Sequence, residues 1–511
     1  MCSLFIMTAK HARSLSQIAL AVTSVLSGCG SGGGGDSADN SAEASALACV
    51  SASAVEPAQA PPQPESTQSK WASYERLFAV DSPWNSRPID PVLGDAQVPL
   101  STYYPAVQEG AYSTGVFLAS TTDPPVTVKG LPGKPGVWDP DAEQYQDSIT
   151  IPHWPASTLP ATGSDGHADI VDPQSGIVHS FFKLQLIDGE WRALQYAWSR
   201  LDGRGWGDPA HHRQGARAAG VPSSAGLIRT HEIDDGDTMY RHALAMSLTY
   251  NALSASPTYV YPATSADTNA ATTNTGSIPM GSLMMLPASF DTDGIRSLKL
   301  RKVAETLKHY GAYVVDRNVG TPFVIYVEIG SAYTLHAGGK WDNVVARDLH
   351  RIREQLRPVA SVGGWVDGDE QPFVPSQRFN ILSMQGPWQL TGGAQAGRYD
   401  TLKQALVFEA NCQVTTMTRT SSQAVTRATW ALPTPGLAYK LTARGSGGAR
   451  LRMVLSDCDK PNEVIDSQAL SDGQSYTFIW PRQLCSTQLV ATSGGNQASS
   501  LTADLFPVTT N

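Results

Sequence analysis

The sequence predicts a mainly β protein: a β-sandwich or jelly-roll-like larger domain with a few helices, then a smaller C-terminal β-sandwich. Three observations predict this. Short β-branched and aromatic runs alternate with Gly, Pro, Ser and Asp turns along much of the 511 residues. Twelve Trp and seventeen Tyr, with 45 Gly, 34 Pro and only 16% charged residues, suit a β-rich extracytoplasmic protein. Clear helical periodicity is confined to two segments.

The elements follow in chain order. Lys10 and Arg13 precede an apolar run from Ile18 to Leu26, too short to span a bilayer and followed by small residues. Residues 1–28 therefore read as a signal peptide. The order Leu26-Ser27-Gly28-Cys29 resembles the lipobox of bacterial lipoproteins. That resemblance implies that Cys29 is acylated and that the chain is exported and anchored to the lipid bilayer of the cell envelope, at the outer membrane or cell surface. Residues 29–70 are rich in Gly, Ser, Ala and Pro, with too few large apolar residues to repay ordering, and read as a flexible tether.

Residues 71–375 form the larger domain. Val116–Leu118, Ser148–Ile151, Val178–Leu186 and Trp191–Trp198 read as strands, as do Tyr259–Tyr261, Ala312–Val315 and Phe323–Val327. Ile295 to Tyr310 reads as a helix, with Ile295, Leu298, Val303, Leu307 and Tyr310 on one side and Gly311 as its stop. Asp342 to Leu356 reads as a second, with Val345, Leu349, Ile352 and Leu356 on one face. Residues 376–511 change texture. Short runs at 406–408, 438–441, 451–455 and 476–480 between Gly/Ser/Asp turns predict a sandwich serving as a carbohydrate-binding or spacer module. Cys458 and Cys485 are the preferred disulfide there, leaving Cys412 as the odd cysteine.

Three segments carry candidate chemistry. In the first, alternation on a strand at 167–171 puts His167 and Asp169 on one face, and Asp172-Pro173 opens a turn toward the strand of His179. In the second, Arg229, His231, Glu232 and His242 form a dense polar cluster; the plainer reading is an Arg229–Glu232 pair closing a turn and a satisfied core His242. In the third, Asp316 ends the strand after Gly311, where an acid is catalytic or simply caps a turn.

Together with Ser82-Pro83-Trp84-Asn85, His167-x-x-x-Val171-Asp172-Pro173-x-x-Gly176, Gly226-Leu227-Ile228-Arg229, His242-Ala243-Leu244 and Tyr310 to Asp316, the pattern resembles a family of secreted bacterial proteins without an assigned reaction. The resemblance covers residues 76 to 330. The setting it implies is action on polysaccharide.

The leading expectation is hydrolysis of an extracellular glycan. Asp169 and Glu232 would be the paired carboxylates, with His167, Arg229 and His242 shaping the site. Trp198, His179, His231 and Asp316 would contact the sugar. A polysaccharide lyase or a non-catalytic glycan-binding lipoprotein are the alternatives. The net charge of −9 comes without any basic block, so nucleic acid is not an expected partner. No phosphate-loop, dinucleotide or Gly-x-Ser-x-Gly pattern occurs, and no cofactor or metal is expected.

Overall fold

The structure, a computed structural model, describes residues 70–376, 378–420, 425–426 and 428–508. The expected signal peptide, Cys29, Cys49 and the tether up to residue 69 lie outside the described residues. The described residues belong to one compact unit, and none of their helices is long and apolar enough to cross a membrane.

The protein is mainly β. Sheets of three, six, four and seven strands precede residue 374, and two five-stranded sheets follow. The seven-stranded sheet positions the candidate site. Its strands run in the order Val92–Leu93, Arg357–Ser361, Leu283–Met285, Ala312–Asn318, Leu244–Thr249, Phe323–Tyr326 and Ala106–Gln108. The Leu244 strand lies parallel to the Ala312 strand, and the Phe323 strand parallel to the Ala106 strand. The remaining pairs are antiparallel. Leu244–Thr249 and Leu283–Met285 are buried at every position, as strands covered on both faces should be.

Two helices pack into the same core. Helix Leu298–His309 begins three residues later than its periodicity predicts, because the Ser297 hydroxyl accepts from Leu300 N and caps it there. Its Leu300, Val303 and Leu307 are buried. Gly311, at φ 75°, turns the chain directly into the Ala312 strand. A Cβ there would lie 2.7 Å from Leu283 and 2.8 Å from the Met284 carbonyl oxygen, so the close approach also demands glycine. Helix Asn343–Gln355 is capped by Asp342, which accepts from Val344 N at 2.7 Å, and buries Val345, Leu349 and Ile352.

Tyr259–Tyr261 is not a strand. Only Tyr259 makes an isolated bridge, to Met280, since Pro257 and Pro262 leave too short a run to continue a ladder.

The six-stranded sheet carries Ala168–Asp172 between Gly115–Leu118 and Ile177–Phe182, with Gln195–Arg200 beyond. Asp172 ends its strand and accepts from Gln174 N and Ser175 N, closing the expected turn.

The two C-terminal sheets share one core. Leu451, Met453 and Leu455 alternate inward from one, and Leu501, Ala503 and Leu505 from the other. Ala142, from much earlier in the chain, joins that core. Beside it the buried Asp141 carboxylate accepts from Gln385 Nε2, Thr401 Oγ1 and Gln404 Nε2 at 2.7, 2.9 and 2.9 Å, and pairs with His211 at 3.0 Å. Around Asp141 the seam between the two regions is thus a buried polar network. Cys458 and Cys485 are disulfide-bonded. Cys412 is also disulfide-bonded, which corrects the expectation that it is the odd cysteine.

Candidate functional site

A cavity of about 750 Å³ opens on one face of the seven-stranded sheet. Paired residues on neighbouring strands share a face, so the register builds its floor. Gln108 pairs with Tyr326, Val324 with Ser247, and Ser247 with Asp316. All of these line the cavity. The last pairing depends on a bulge. The register skips Val315 between Met246 and Ser247, which sets Asp316 opposite Ser247. Burial along Ala312–Asn318 changes at the same place, from four buried residues to half-buried Asp316, Arg317 and Asn318. Asn318 Nδ2 donates to Ser247 Oγ at 3.0 Å and holds the two strand ends together.

Loops complete the walls with Tyr112, Asp165, His167, Arg213 and Asp267. Three aspartates and two arginines therefore line the cavity. Burial raises the Asp316 carboxyl to about 6. The Arg217 charge opposes that rise, and the neighbouring Asp267 carboxylate adds to it. Arg217 stands behind the wall. Its Nη1 donates to Asp316 Oδ2 at 3.0 Å, and its guanidinium lies 3.9 Å from the centre of the Tyr326 ring.

The Asp267 carboxyl is also raised, by burial first, while Arg317 at 3.6 Å favours its charged form. Its Oδ2 is buried without a hydrogen-bond partner among the described residues. His167 is buried, and that burial with the Arg217 charge holds it neutral, at about 3. Its Nδ1 faces the Phe181 carbonyl at 3.3 Å; donation there leaves Nε2 as the acceptor. The set supplies a protonated carboxyl, a second carboxylate and a neutral imidazole in one cavity.

The structure does not bring the expected Asp169–Glu232 pair into this cavity. Asp169 is fully buried in its strand, accepts from Ser224 N at 2.7 Å, and has its carboxyl raised by burial. Glu232, His242 and Arg229 line a separate recess of about 40 Å³, too small for a sugar ring. Burial pushes the Glu232 carboxyl up, but the His242 charge and its hydrogen bond at 3.1 Å prevail and bring it down to about 2. A carboxylate held that low is a poor proton donor or base near neutral pH.

Arg229 pairs with Glu328 at 3.0 Å, not with the Glu232 carboxylate, which accepts from the Arg229 backbone N. Its guanidinium also donates to Tyr74 O at 2.9 Å. His179 faces the Tyr196 hydroxyl at 2.8 Å inside the sheet, and burial lowers it to about 4. Trp198 Nε1 donates to Thr401 Oγ1 at 3.1 Å and serves the seam. His231 is exposed and lines none of the cavities described.

Of the expected residues, His167 and Asp316 reach the cavity. Asp267, Tyr326 and the supporting Arg217 were not anticipated. Asp267 sits in a Ser/Thr/Ala-rich loop without periodicity, and Arg217 in a Gly/Ala-rich one. The Tyr-Gly-x-Tyr-x-x-Asp run ending at Asp316 was the available signal. Among the described residues, no group of three or more His, Cys, Asp or Glu is placed to hold a metal ion.

No family model and no curated protein matches the chain. Solved structures match parts of it. Accessory secretory protein 1, 2 and 3 of Streptococcus pneumoniae is 14% identical over 27% of this chain and 100% of that one, with a TM-score of 0.18. TmCBM61 in complex with beta-1,4-galactotriose is 11% identical over 24% of this chain and 89% of its own, with a TM-score of 0.17. A family 29 carbohydrate-binding module is 11% identical over 26% and 92%, with a TM-score of 0.15. Similarities of that extent define no shared site.

Proposed function

We propose that the protein is an exported, envelope-anchored enzyme that hydrolyses an extracellular polysaccharide in the cavity around Asp316 and Asp267. The observation that carries this reading is a half-buried carboxyl raised to about 6, Asp316, beside a second half-buried carboxyl, Asp267, in one sugar-sized cavity. Hydrolysis of a glycosidic bond asks for that division of labour. Asp316 gives its proton to the departing glycosidic oxygen. The Asp267 carboxylate takes a proton from the attacking water, or attacks the anomeric carbon itself. The glycosidic carbon–oxygen bond breaks, and hydroxide from water ends on the anomeric carbon; on the covalent route, the Asp316 carboxylate left by the first step takes the proton of the water that breaks the Asp267 ester.

With Asp316 protonated, two aspartates face two arginines in the lining, which leaves no net positive field to draw a uronate and favours a neutral sugar, and with it hydrolysis over lyase chemistry. Envelope anchoring rests on the lipobox-like residues that end at Cys29. The test is to incubate the protein with neutral plant-wall and bacterial polysaccharides and measure released reducing ends. Cleavage of at least one, with Asp267→Asn reducing turnover roughly 10²–10⁴-fold, is expected. Cleavage unaffected by Asp267→Asn would remove this residue from the reaction.

A further inference from the structure

A second cavity, of about 880 Å³, lies along the seam between the larger region and the C-terminal sheets. It is chemically unlike the first. Tyr261, Tyr313 and Trp365 come from one side, Phe379, Trp430 and Tyr439 from the other. Tyr261, Phe379 and Trp430 pack as a cluster with ring centres 4.9 to 5.6 Å apart. Trp430 Nε1 donates to Ala263 O at 2.6 Å, which fixes the indole across the seam.

Two charged groups stand among these rings, Arg204 and Asp81. Arg204 bonds the Tyr261 hydroxyl, and its Nε is buried with no partner among the described residues. An unpartnered buried guanidinium nitrogen costs stability unless a ligand supplies an acceptor. Three large apolar side chains at this cavity are exposed: Val374 at 90%, Leu432 at 61% and Leu437 at 51%.

We infer that this aromatic cleft is a binding site for a neutral pyranose chain, separate from the reaction cavity. A pyranose ring has apolar C–H faces and a rim of hydroxyls. Rings that take the faces, with one guanidinium and one carboxylate that take the rim, match both parts. An alkyl chain would desolvate Arg204 and Asp81 and offer neither of them a hydrogen bond. The inference shares the glycan ligand with the proposed function but not its residues. Because both sides of the seam contribute, the bound sugar also ties the two regions together.

The test is a tryptophan-fluorescence titration of the full chain with cellohexaose, xylohexaose and mannohexaose. Wild type should show saturable binding to at least one. Trp430→Ala should raise Kd at least tenfold and Arg204→Gln at least fivefold, while Asp316→Asn leaves it unchanged. Arg204→Gln keeps the aromatic packing, so it decides the matter if Trp430→Ala fails to fold by circular dichroism. Absence of saturable binding to all three sugars overturns the inference. So does binding that survives both cleft substitutions. If Asp316→Asn alone abolishes binding, the sugar sits in the reaction cavity, and the cleft assignment falls while the proposed function stands.

Discussion

Arg217 donates to Asp316 across 3.0 Å from behind the cavity wall, and the two groups meet without Arg217 lining the cavity. The guanidinium therefore positions and tunes the acid from the protein side. Its charge opposes the burial that lifts Asp316 to about 6. In the proposed reaction this holds the proton donor near neutral pH instead of far above it.

A pH profile follows from this pairing. Asp316 is protonated below about 6 and loses its proton above, so turnover should fall as pH rises through that value. Arg217→Met removes the opposing charge, and the falling limb should move to higher pH. A merely structural Arg217 would lower turnover at every pH without moving the limb. A pH–rate profile of both proteins separates the two roles.

The Glu232–His242 pair should matter for stability and not for turnover. Glu232 is lowered to about 2, so its contribution is complete above its unfolded value near 4.5 and is lost as pH falls toward 2. His242 is raised because the Glu232 charge and hydrogen bond outweigh its burial; its contribution is complete below its unfolded value near 6.5 and fades as pH rises through the raised one. Melting curves against pH should show the pair at its strongest between those two unfolded values. Glu232→Gln should cost about 3 kcal/mol in that window, as for other buried pairs that lose a partner. An unchanged Tm with a lost activity would reverse this assignment.

Asp141 should hold the seam. Three side chains from the C-terminal region and His211 converge on its carboxylate. Asp141→Ala strands those donors and should cost about 3–5 kcal/mol. Denaturant unfolding measures it; a loss below about 1 kcal/mol would mean that the regions are joined by apolar packing instead.

Cys29→Ser should release the protein from membranes and abolish acyl labelling. Fractionation of cells producing either form reads this out, and unchanged membrane association would refute lipid anchoring at Cys29.

Much of the fold was legible because it rests on local pattern. The periodicity of Val303 and Leu307, and the β-branched runs at 312–315 and 323–327, lead directly to the observed helix and strands, although Leu298, expected on the same side of the helix, is 75% exposed. The site was less legible because it rests on register. A bulge at Val315 decides which way Asp316 faces, and no residue in that run announces it. Asp169 and Glu232 misled for a related reason. Polar residues crowded near strands and turns mark buried networks as readily as reaction centres. Here Ser224 N donates to Asp169 Oδ2 inside its sheet, and His242 pairs with Glu232. Asp267 and Arg217 belong to loops whose placement depends on packing far away in sequence.

The most direct test compares Asp316→Asn with Glu232→Gln on a glycan that the wild type cleaves. The account predicts that Asp316→Asn loses roughly 10²–10⁴-fold in turnover with its fold intact, while Glu232→Gln keeps wild-type turnover below its melting temperature. Wild-type turnover in Asp316→Asn, or its loss in a folded Glu232→Gln, would contradict the account and return the reaction to the Glu232–His242 recess.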